Sequence, residues 1–281
     1  MTSSICEFRE RILAEGRIRY RAMPWRFIDD AYGVLVSEVM LQQTQVPRVM
    51  ERWDAWMRTF PTIDALAAAD TARVLSAWQG LGYNRRALYL QRAAQACARD
   101  FAGEVPEGED ELRALPGIGP ATAAGVTVFA RNRPAVYLET NVRAVFLHEF
   151  FPNEVRVPDT RLVPLVREAC PETDPRTWYY ALLDCGAHLK STLGSAANPS
   201  RRSAAYARQS AFEGSHRQVR AEVLRLALAS APVGEEELFC ALAESRRTAL
   251  RAQVSAAEFD TVLDELAVEG FLVRRDATII V

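Results

Sequence analysis

The chain has 281 residues, of which 49% are hydrophobic and 25% are charged, and this length accommodates two or three packed units without a stabilising metal or disulfide. The five cysteines are at least 15 positions apart, which excludes a CxxC pair or zinc-ligand spacing and predicts a reduced, cytoplasmic protein: Cys6, Cys97, Cys170, Cys185 and Cys240. No apolar run approaches the roughly 18 residues of a membrane helix, so we expect a soluble, untargeted chain.

Most of the chain shows the apolar spacing of three and four residues that is typical of helices. The clearest predicted helices cover residues 63–78, 86–102, 110–115, 120–130 and 142–150. Proline and glycine separate them, at Pro61, at 80–82 and at 116–119. No strand signal precedes the last dozen residues, so the predicted fold class is all-α.

The composition changes at residues 186–215, where Ser, Asn, Pro, Gly and Arg replace the apolar periodicity, and we interpret this segment as a linker or surface wrap. Beyond it we predict three short helices and a terminal pair of strands around Asp276, at 217–229, 235–242, 256–268, 271–275 and 278–281. Three helices and a hairpin suggest a winged-helix-like unit. We therefore divide the chain into domains at 1–215 and 216–281.

The formal net charge is only −2, but it is unevenly distributed. Residues 176–220 contain 7 basic and 2 acidic residues, whereas residues 222–281 contain 6 basic and 11 acidic residues. The basic stretch fits a phosphate-binding surface and equally fits an ordinary solvated face. Because the C-terminal unit carries a net charge of −5, we expect it to avoid DNA and to pack against the rest of the chain or against a partner protein.

The string Leu115-Pro-Gly-Ile-Gly119 lies between two predicted helices. Glycines two positions apart allow a sharp turn, and its exposed N–H groups, with the following helix N-terminus, can bind a DNA phosphate. Ala121, Ala123, Ala124 and Gly125 allow the second helix to approach the first closely. An ordinary helix–helix turn is the alternative.

A carboxylate, Glu38, lies among apolar residues of a predicted helix and four positions before an amide, Gln42. Apolar surroundings raise the pKa of a carboxyl group, so Glu38 can hold a proton and act as a general acid on a base nitrogen. Gln42 and Gln43 offer donors and acceptors suited to base edges or to the gap that a flipped base leaves. A salt-bridged glutamate on a polar helix face is the alternative.

A second carboxylate, Glu139, lies in a loop that enters a helix near Asn141. Cleavage of a glycosidic bond passes through a cation-like sugar, so it needs a proton donor at the base and a negative charge near the sugar. Glu38 and Glu139 fit these two roles. A charge that only complements the helix dipole is the alternative for Glu139.

Four strings together resemble the MutY-type adenine glycosylase branch of the endonuclease III, or helix-hairpin-helix, superfamily: SEVMLQQTQV at 37–46, WQGLGYNRRA at 78–87, LPGIGPATA at 115–123 and LETNVRAV at 138–145. Over residues 20–190 the resemblance implies a two-lobed, all-helical domain that grips DNA and flips out the target nucleotide. The implied lobes cover residues 27–138 and residues 1–26 plus 139–215. It implies that Glu38 protonates the departing purine and that Gln42, Tyr83 and Asn84 enter the duplex. The further implied DNA contacts are Gln43, Leu115, Gly117, Ile118, Gly119, Ala121 and Asn141.

The departures from this family matter as much as the matches. Ala121 occupies the position of the Schiff-base lysine of bifunctional relatives, which disfavours covalent amine catalysis. Ala121 and Asn84 replace residues typical of the adenine-specific branch, and Glu139 replaces an aspartate. No cysteine lies in 187–214, so no iron-sulfur cluster is expected there. The basic residues of this segment are expected to contact phosphate instead: Lys190, Arg201, Arg202 and Arg208.

These features predict a monofunctional glycosylase that acts as a monomer on double-stranded DNA. We expect it to be cytoplasmic and nucleoid-associated. We expect no cofactor, except that the resemblance allows a monovalent cation at the hairpin. The family's usual C-terminal module for reading oxidised guanine is missing. The target base stays open among adenine, hypoxanthine, an alkylated purine and an oxidised pyrimidine. Two alternatives remain: a non-catalytic sensor of DNA distortion, which does not need a desolvated Glu38, and a glycosylase with lyase activity.

Overall fold

A computed structural model describes residues 5–207 and 209–281. Within these ranges, fourteen α-helices and a small sheet follow one another along the chain. The helices are α1 (Ile5–Ile18), α2 (Ala31–Leu41), α3 (Val46–Thr59), α4 (Ile63–Ala67), α5 (Thr71–Trp78), α6 (Arg85–Asp100), α7 (Glu109–Ala114), α8 (Pro120–Arg131), α9 (Thr140–Phe150), α10 (Asp159–Ala169), α11 (Pro175–Leu193), α12 (His216–Ser230), α13 (Glu235–Thr248) and α14 (Ala256–Val268); the strands are β1 (Val233–Gly234), β2 (Val273–Arg275) and β3 (Thr278–Ile280).

Two groups of helices form the main body. In the first, α2 packs against α3, α6 and α8, and α4 packs against α6. Its core includes the edge-to-face pair of Trp56 and Trp78, with ring centroids 5.4 Å apart. In the second, α11 packs against α1 and α9 around Phe8, which contacts Phe146 and Trp178 edge-on. The predicted all-α, two-lobed arrangement is thus present, whereas the lobe and domain boundaries stay predictions.

Helix α2 is the central helix of the site, and most of its residues are buried. Asp30 begins it as an N-cap, because its carboxylate accepts hydrogen bonds from the N–H groups of Tyr32 (3.3 Å) and Gly33 (2.7 Å). The Tyr32 hydroxyl donates to the carbonyl of Phe60 at 2.9 Å and so ties α2 to the end of α3. These contacts fix the position from which Glu38 projects.

Three sequence predictions of secondary structure were wrong in detail. The single helix predicted at 63–78 is two helices, because Asp70 adopts an extended conformation at the start of α5. The segment predicted as a linker from 186 begins as helix: α11 continues to Leu193 and stops at Gly194, whose φ is +67°. The strand β1 was missed, because two residues show no alternation that a sequence pattern can reveal.

The C-terminal unit contains α12, α13 and α14 and an antiparallel sheet in the order β1-β3-β2. The hairpin predicted around Asp276 is present, and Asp276 and Ala277 form its turn with φ of 50° and 54°. The unit packs against the main body, as expected: α12 contacts α5, and Glu269 pairs with Arg85 at 2.5 Å. Its winged-helix character stays a prediction.

In the described ranges, none of the helices is long and apolar enough to cross a membrane.

Candidate active site

Glu38 projects from α2 into a small cavity of about 140 Å³. Its walls come from α2, α8, the loop before α9, and α11, so both groups of helices contribute: Arg21, Met23, Trp25, Arg26, Val34, Ser37, Glu38, Leu41, Thr44, Val46, Phe129, Tyr137, Glu139, Asn141, Tyr180 and Leu183. The two predicted catalytic carboxylates therefore share one cavity.

Gly125 of α8 makes room for the Glu38 side chain. A Cβ at this position would lie 2.7 Å from the Glu38 carboxyl carbon and 3.0 Å from a ring carbon of Tyr137. Such contacts are too short for a side chain, so only glycine permits this approach of α8 to α2. The sequence predicted that Gly125 lets α8 approach the preceding helix α7, whereas the structure places Gly125 against Glu38 of α2 and Tyr137.

The pKa of Glu38 is raised from 4.5 to about 8. Burial is the largest cause, since the cavity removes water from the carboxylate; the nearby charge of Glu139 adds to it, while a hydrogen bond with Tyr137 acts in the opposite direction. A carboxyl group with this pKa is mostly protonated at neutral pH. Glu38 can therefore donate a proton inside the cavity, as its apolar sequence surroundings predicted.

Glu139 caps the N-terminus of α9. Its carboxylate accepts hydrogen bonds from the N–H groups of Asn141 at 2.5 Å and Val142 at 2.9 Å, and from the Asn141 side chain at 3.3 Å. Burial raises its pKa, whereas these N–H groups and the charges of Lys190 and Arg143 favour the ionised form. The hydrogen bonds of Glu139 agree with the alternative that its charge complements the dipole of α9. The same carboxylate also lines the cavity beside Glu38.

A buried ion pair that sequence reasoning missed forms another wall. Arg26 and Asp184 are paired with both side chains fully buried, at 2.7 and 2.9 Å, and Arg21 donates to the same carboxylate at 2.6 Å. The Arg26 guanidinium also lies over the ring of Tyr180, 4.4 Å from its centroid. No local pattern reveals this contact, because the two residues are 158 positions apart in the sequence.

A different, larger cavity is lined by the three residues predicted to enter the duplex, Gln42, Tyr83 and Asn84, and by a further predicted DNA contact, Gln43. The Gln42 amide donates to the Thr122 hydroxyl at 3.0 Å and so bridges α2 and α8. Tyr83 has a φ of 49°, which turns its side chain outward, and it is 39% exposed. The structure thus brings these four residues together beside the end of α2, and their contact with DNA stays a prediction.

Arg86 holds this group in place, and its role was not foreseen. Its guanidinium donates to the carbonyls of Val39, Met40 and Gln42 at 2.6–2.9 Å, and also to the Thr44 hydroxyl at 2.9 Å. Burial lowers the pKa of Arg86 to about 10. The residue lies within the string at 78–87, so the signal was present, but its partners are not local.

The hairpin at 115–119 joins α7 to α8. Gly117 has a φ of +76° and lies against Tyr89, which leaves no room for a Cβ. Gly117, Gly119 and Ala121 are exposed, as a phosphate site requires. Leu115 and Ile118 are buried, and the Ile118 N–H donates to the Leu115 carbonyl at 3.1 Å, so their side chains anchor the turn in the core. Contact of the hairpin, including these two residues, with DNA stays a prediction.

The basic residues of 186–215 do not form one surface. Lys190 lies in α11, where burial lowers its pKa and its charge acts on Glu139. Arg202 is half-buried and donates to the Leu147 carbonyl of α9 at 3.3 Å, because its segment pairs with Val157. Arg201 is exposed. Phosphate contact was predicted for Lys190, Arg201, Arg202 and Arg208. The structure instead gives Lys190 and Arg202 internal contacts. Arg208 lies outside the described residues.

No cluster of three or more His, Cys, Asp or Glu side chains suited to a metal occurs in the described part of the chain. The five cysteines carry free thiols. The expectations of no iron-sulfur cluster and of a monovalent cation at the hairpin stay predictions.

Comparison with known proteins relates the chain to DNA repair enzymes. The family described as HhH-GPD superfamily base excision DNA repair protein matches residues 36–162. An adenine DNA glycosylase of Mycolicibacterium smegmatis is 41% identical over 169 residues, which cover 59% of this chain and 58% of that protein. One from Mycobacterium tuberculosis is 44% identical over 135 residues, covering 48% of this chain and 44% of that protein. The chain thus spans about half the length of the curated relatives it matches.

Solved structures support the same fold. A thermostable thymine-DNA glycosylase superposes with a TM-score of 0.59 at 23% identity, over 65% of this chain and 86% of that one. Endonuclease III in a non-covalent complex with DNA superposes with a TM-score of 0.55 at 18% identity, over 64% of this chain and 85% of that one. Sequence match and fold agree over this part of the chain: residues 36–162 match the HhH-GPD superfamily base excision DNA repair protein family, and the solved structures share the fold.

Proposed function

We propose that the protein is a monofunctional DNA glycosylase that releases a purine, adenine in the first instance, from double-stranded DNA. The observation that carries the proposal is the buried carboxyl group of Glu38, with a pKa raised to about 8, in a cavity of about 140 Å³ that it shares with Glu139. The adenine DNA glycosylases among the relatives support adenine as the base. The exposed hairpin and the residues around Tyr83 supply the surface on which DNA binds.

In the proposed reaction the target nucleotide rotates out of the duplex and its base enters the cavity. Glu38 transfers its proton to a ring nitrogen of the base, and the C1′–N bond breaks with its electron pair going to the base. Glu139, ionised beside the sugar, stabilises the positive charge that develops there. Water then adds to C1′ and loses a proton, which leaves an intact abasic site and a free base.

Lyase activity is not part of the proposal. Bifunctional relatives place an amine in the hairpin, and Ala121 occupies that position on the exposed first turn of α8. Without this amine, the abasic sugar has no nucleophile there with which to form an imine.

The experiment is a panel of duplexes, each with one target: adenine opposite guanine, adenine opposite 8-oxoguanine, hypoxanthine, an alkylated purine and an oxidised pyrimidine. Free base is measured by chromatography, and strand breaks are measured with and without alkali. We expect free adenine and breaks only after alkali. Glu38→Gln is expected to abolish release, whereas Glu51→Gln, an exposed change on α3, is the matched control and leaves it intact. Tight binding without release of any base contradicts the enzyme and supports a distortion sensor, and breakage without alkali contradicts monofunctionality.

A further inference from the structure

A second cavity, larger than the one that holds Glu38, lies elsewhere in the described chain. It has a volume of about 1140 Å³ and lies across the last turn of α2, between the main body and the C-terminal unit. We call it the α12 cavity. It begins at the hairpin with Gly117, passes Tyr89 and Tyr83, and ends at Arg217 and Arg225 of α12. Pockets for small molecules have volumes of roughly 300–1,000 Å³, so this groove exceeds what one small ligand needs.

The arginines of the C-terminal unit differ in their partners. Arg220 pairs with Glu269 at 2.8 Å, and Arg246 pairs with Glu222 at 2.6 Å. Arg217 and Arg225 lack a carboxylate partner among the described residues: Arg217 donates to the carbonyl of Ser210 at 2.9 Å and Arg225 to the hydroxyl of Ser245 at 3.2 Å. Both therefore present an uncompensated positive charge at the α12 cavity.

The rest of the lining increases this positive charge. Arg48 also lines the cavity, and the described structure gives it no carboxylate partner. Glu269 is the acidic residue of the lining, and it is neutralised by Arg85 at 2.5 Å and by Arg220 at 2.8 Å. The cavity is thus basic although the C-terminal unit as a whole is acidic, because the acidic residues lie elsewhere on the unit or in ion pairs.

Aromatic side chains accompany these arginines. Tyr83, Tyr89 and Phe212 line the cavity and are 39%, 41% and 52% exposed. Large aromatic side chains are usually buried, so three exposed ones in a basic groove need an explanation. Stacking platforms next to a positively charged track are what proteins use to bind nucleic acid strands.

We propose that the α12 cavity holds a segment of a DNA strand, with phosphates at Arg217 and Arg225 and bases against the exposed aromatic rings, so that the C-terminal unit is part of the DNA-binding surface. The track continues from the exposed hairpin, which lines the other end of the same cavity. The inference rests on the proposed function only in that DNA is the ligand. It replaces the expectation, drawn from a net charge of −5, that this unit stays away from DNA.

The experiment measures binding of the full chain to a duplex that contains a tetrahydrofuran abasic-site analogue, at a series of KCl concentrations. The test variant is Arg217→Ala with Arg225→Ala, which leaves the ion pairs of the unit untouched. The control is Arg247→Ala with Arg275→Ala, which removes the same charge from exposed positions of the same unit outside the cavity. Circular dichroism verifies that both variants fold.

We expect the test variant to lower the slope of log K against log salt by about 2 units, since each lost phosphate contact contributes about 0.9. At 0.1 M salt this corresponds to a loss of affinity of up to about 60-fold. The control keeps the wild-type slope and affinity. Arg225→Glu alone weakens binding further than Arg225→Ala, because it places a negative charge on the track.

An unchanged slope in the test variant, or an equal loss in the control, overturns the proposal. The analogue contains no base that can be released, so this measurement does not depend on catalysis. If wild-type protein binds the analogue through α12 but releases no base from any duplex of the panel, the proposed function fails and the present inference stands.

Discussion

Replacing the carboxylic acid of Glu38 by an amide is expected to remove activity and, at the same time, to remove a pH-dependent instability of the fold. The pKa of Glu38 is about 8 in the folded protein and 4.5 as its ordinary value. Between these values the folded state binds a proton that the unfolded state has lost. Stability therefore falls as pH rises from about 5 to 8, and it levels off above the folded pKa.

The magnitude follows from the pKa difference. One pKa unit corresponds to about 1.36 kcal/mol, and between pH 5 and pH 8 the Glu38 carboxyl group should cost wild-type protein about 3 kcal/mol of unfolding free energy. Glu38→Gln cannot titrate, so its stability should lack this part of the pH dependence. Glu139 is retained in both proteins, so the difference between them isolates Glu38.

The assay is urea unfolding of wild type, Glu38→Gln and Glu51→Gln, followed by circular dichroism at pH 5, 6, 7 and 8. The stability of Glu38→Gln relative to wild type should increase by about 3 kcal/mol across this range, and Glu51→Gln should follow wild type. Parallel pH dependence of wild type and Glu38→Gln refutes the raised pKa and, with it, the argument that Glu38 holds the catalytic proton. Base release by wild type should decline above about pH 8, because the general acid then loses its proton.

Four further predictions concern other parts of the molecule. Glu139→Gln should slow single-turnover base release by about a hundred- to thousand-fold with little change in binding. A normal rate, with an unfolding free energy lower by only about 0.3 to 1 kcal/mol, means that the residue is a helix cap alone. Asp184→Ala should lower the unfolding free energy by about 3 to 5 kcal/mol, because it leaves Arg26 charged and buried without its partner; an unchanged urea midpoint contradicts this. Purified protein should be colourless, and stoichiometric iron measured by elemental analysis disproves the expectation. Arg201→Ala with Arg202→Ala should lower the slope of log K against log salt for DNA binding by roughly one unit rather than two, since Arg202 is held by the Leu147 carbonyl. A slope equal to that of wild type shows that the segment is a structural wrap.

The local features of the site were readable from the sequence because they depend on neighbouring residues. Periodicity predicted the helices and a glycine-rich turn predicted the hairpin. A carboxylate before a helix gave the helix-dipole alternative for Glu139, and the hydrogen bonds of Glu139 with Asn141 and Val142 lie within three positions of it. Element ends were less predictable: α11 continues to Leu193, although the linker was predicted to begin at residue 186.

The sequence by itself determined the helical fold class, the hairpin and the two carboxylates, because each has a pattern within a few residues. Only the tertiary structure decided their electrostatics. The pKa of Glu38 depends on burial beneath α8, which Gly125 permits, and Arg26 finds Asp184 across 158 positions. A charge count placed the C-terminal unit away from DNA, whereas folding pairs most of its arginines and leaves Arg217 and Arg225 facing the α12 cavity. Charge and burial act through distances in space, and a linear sequence does not contain those distances.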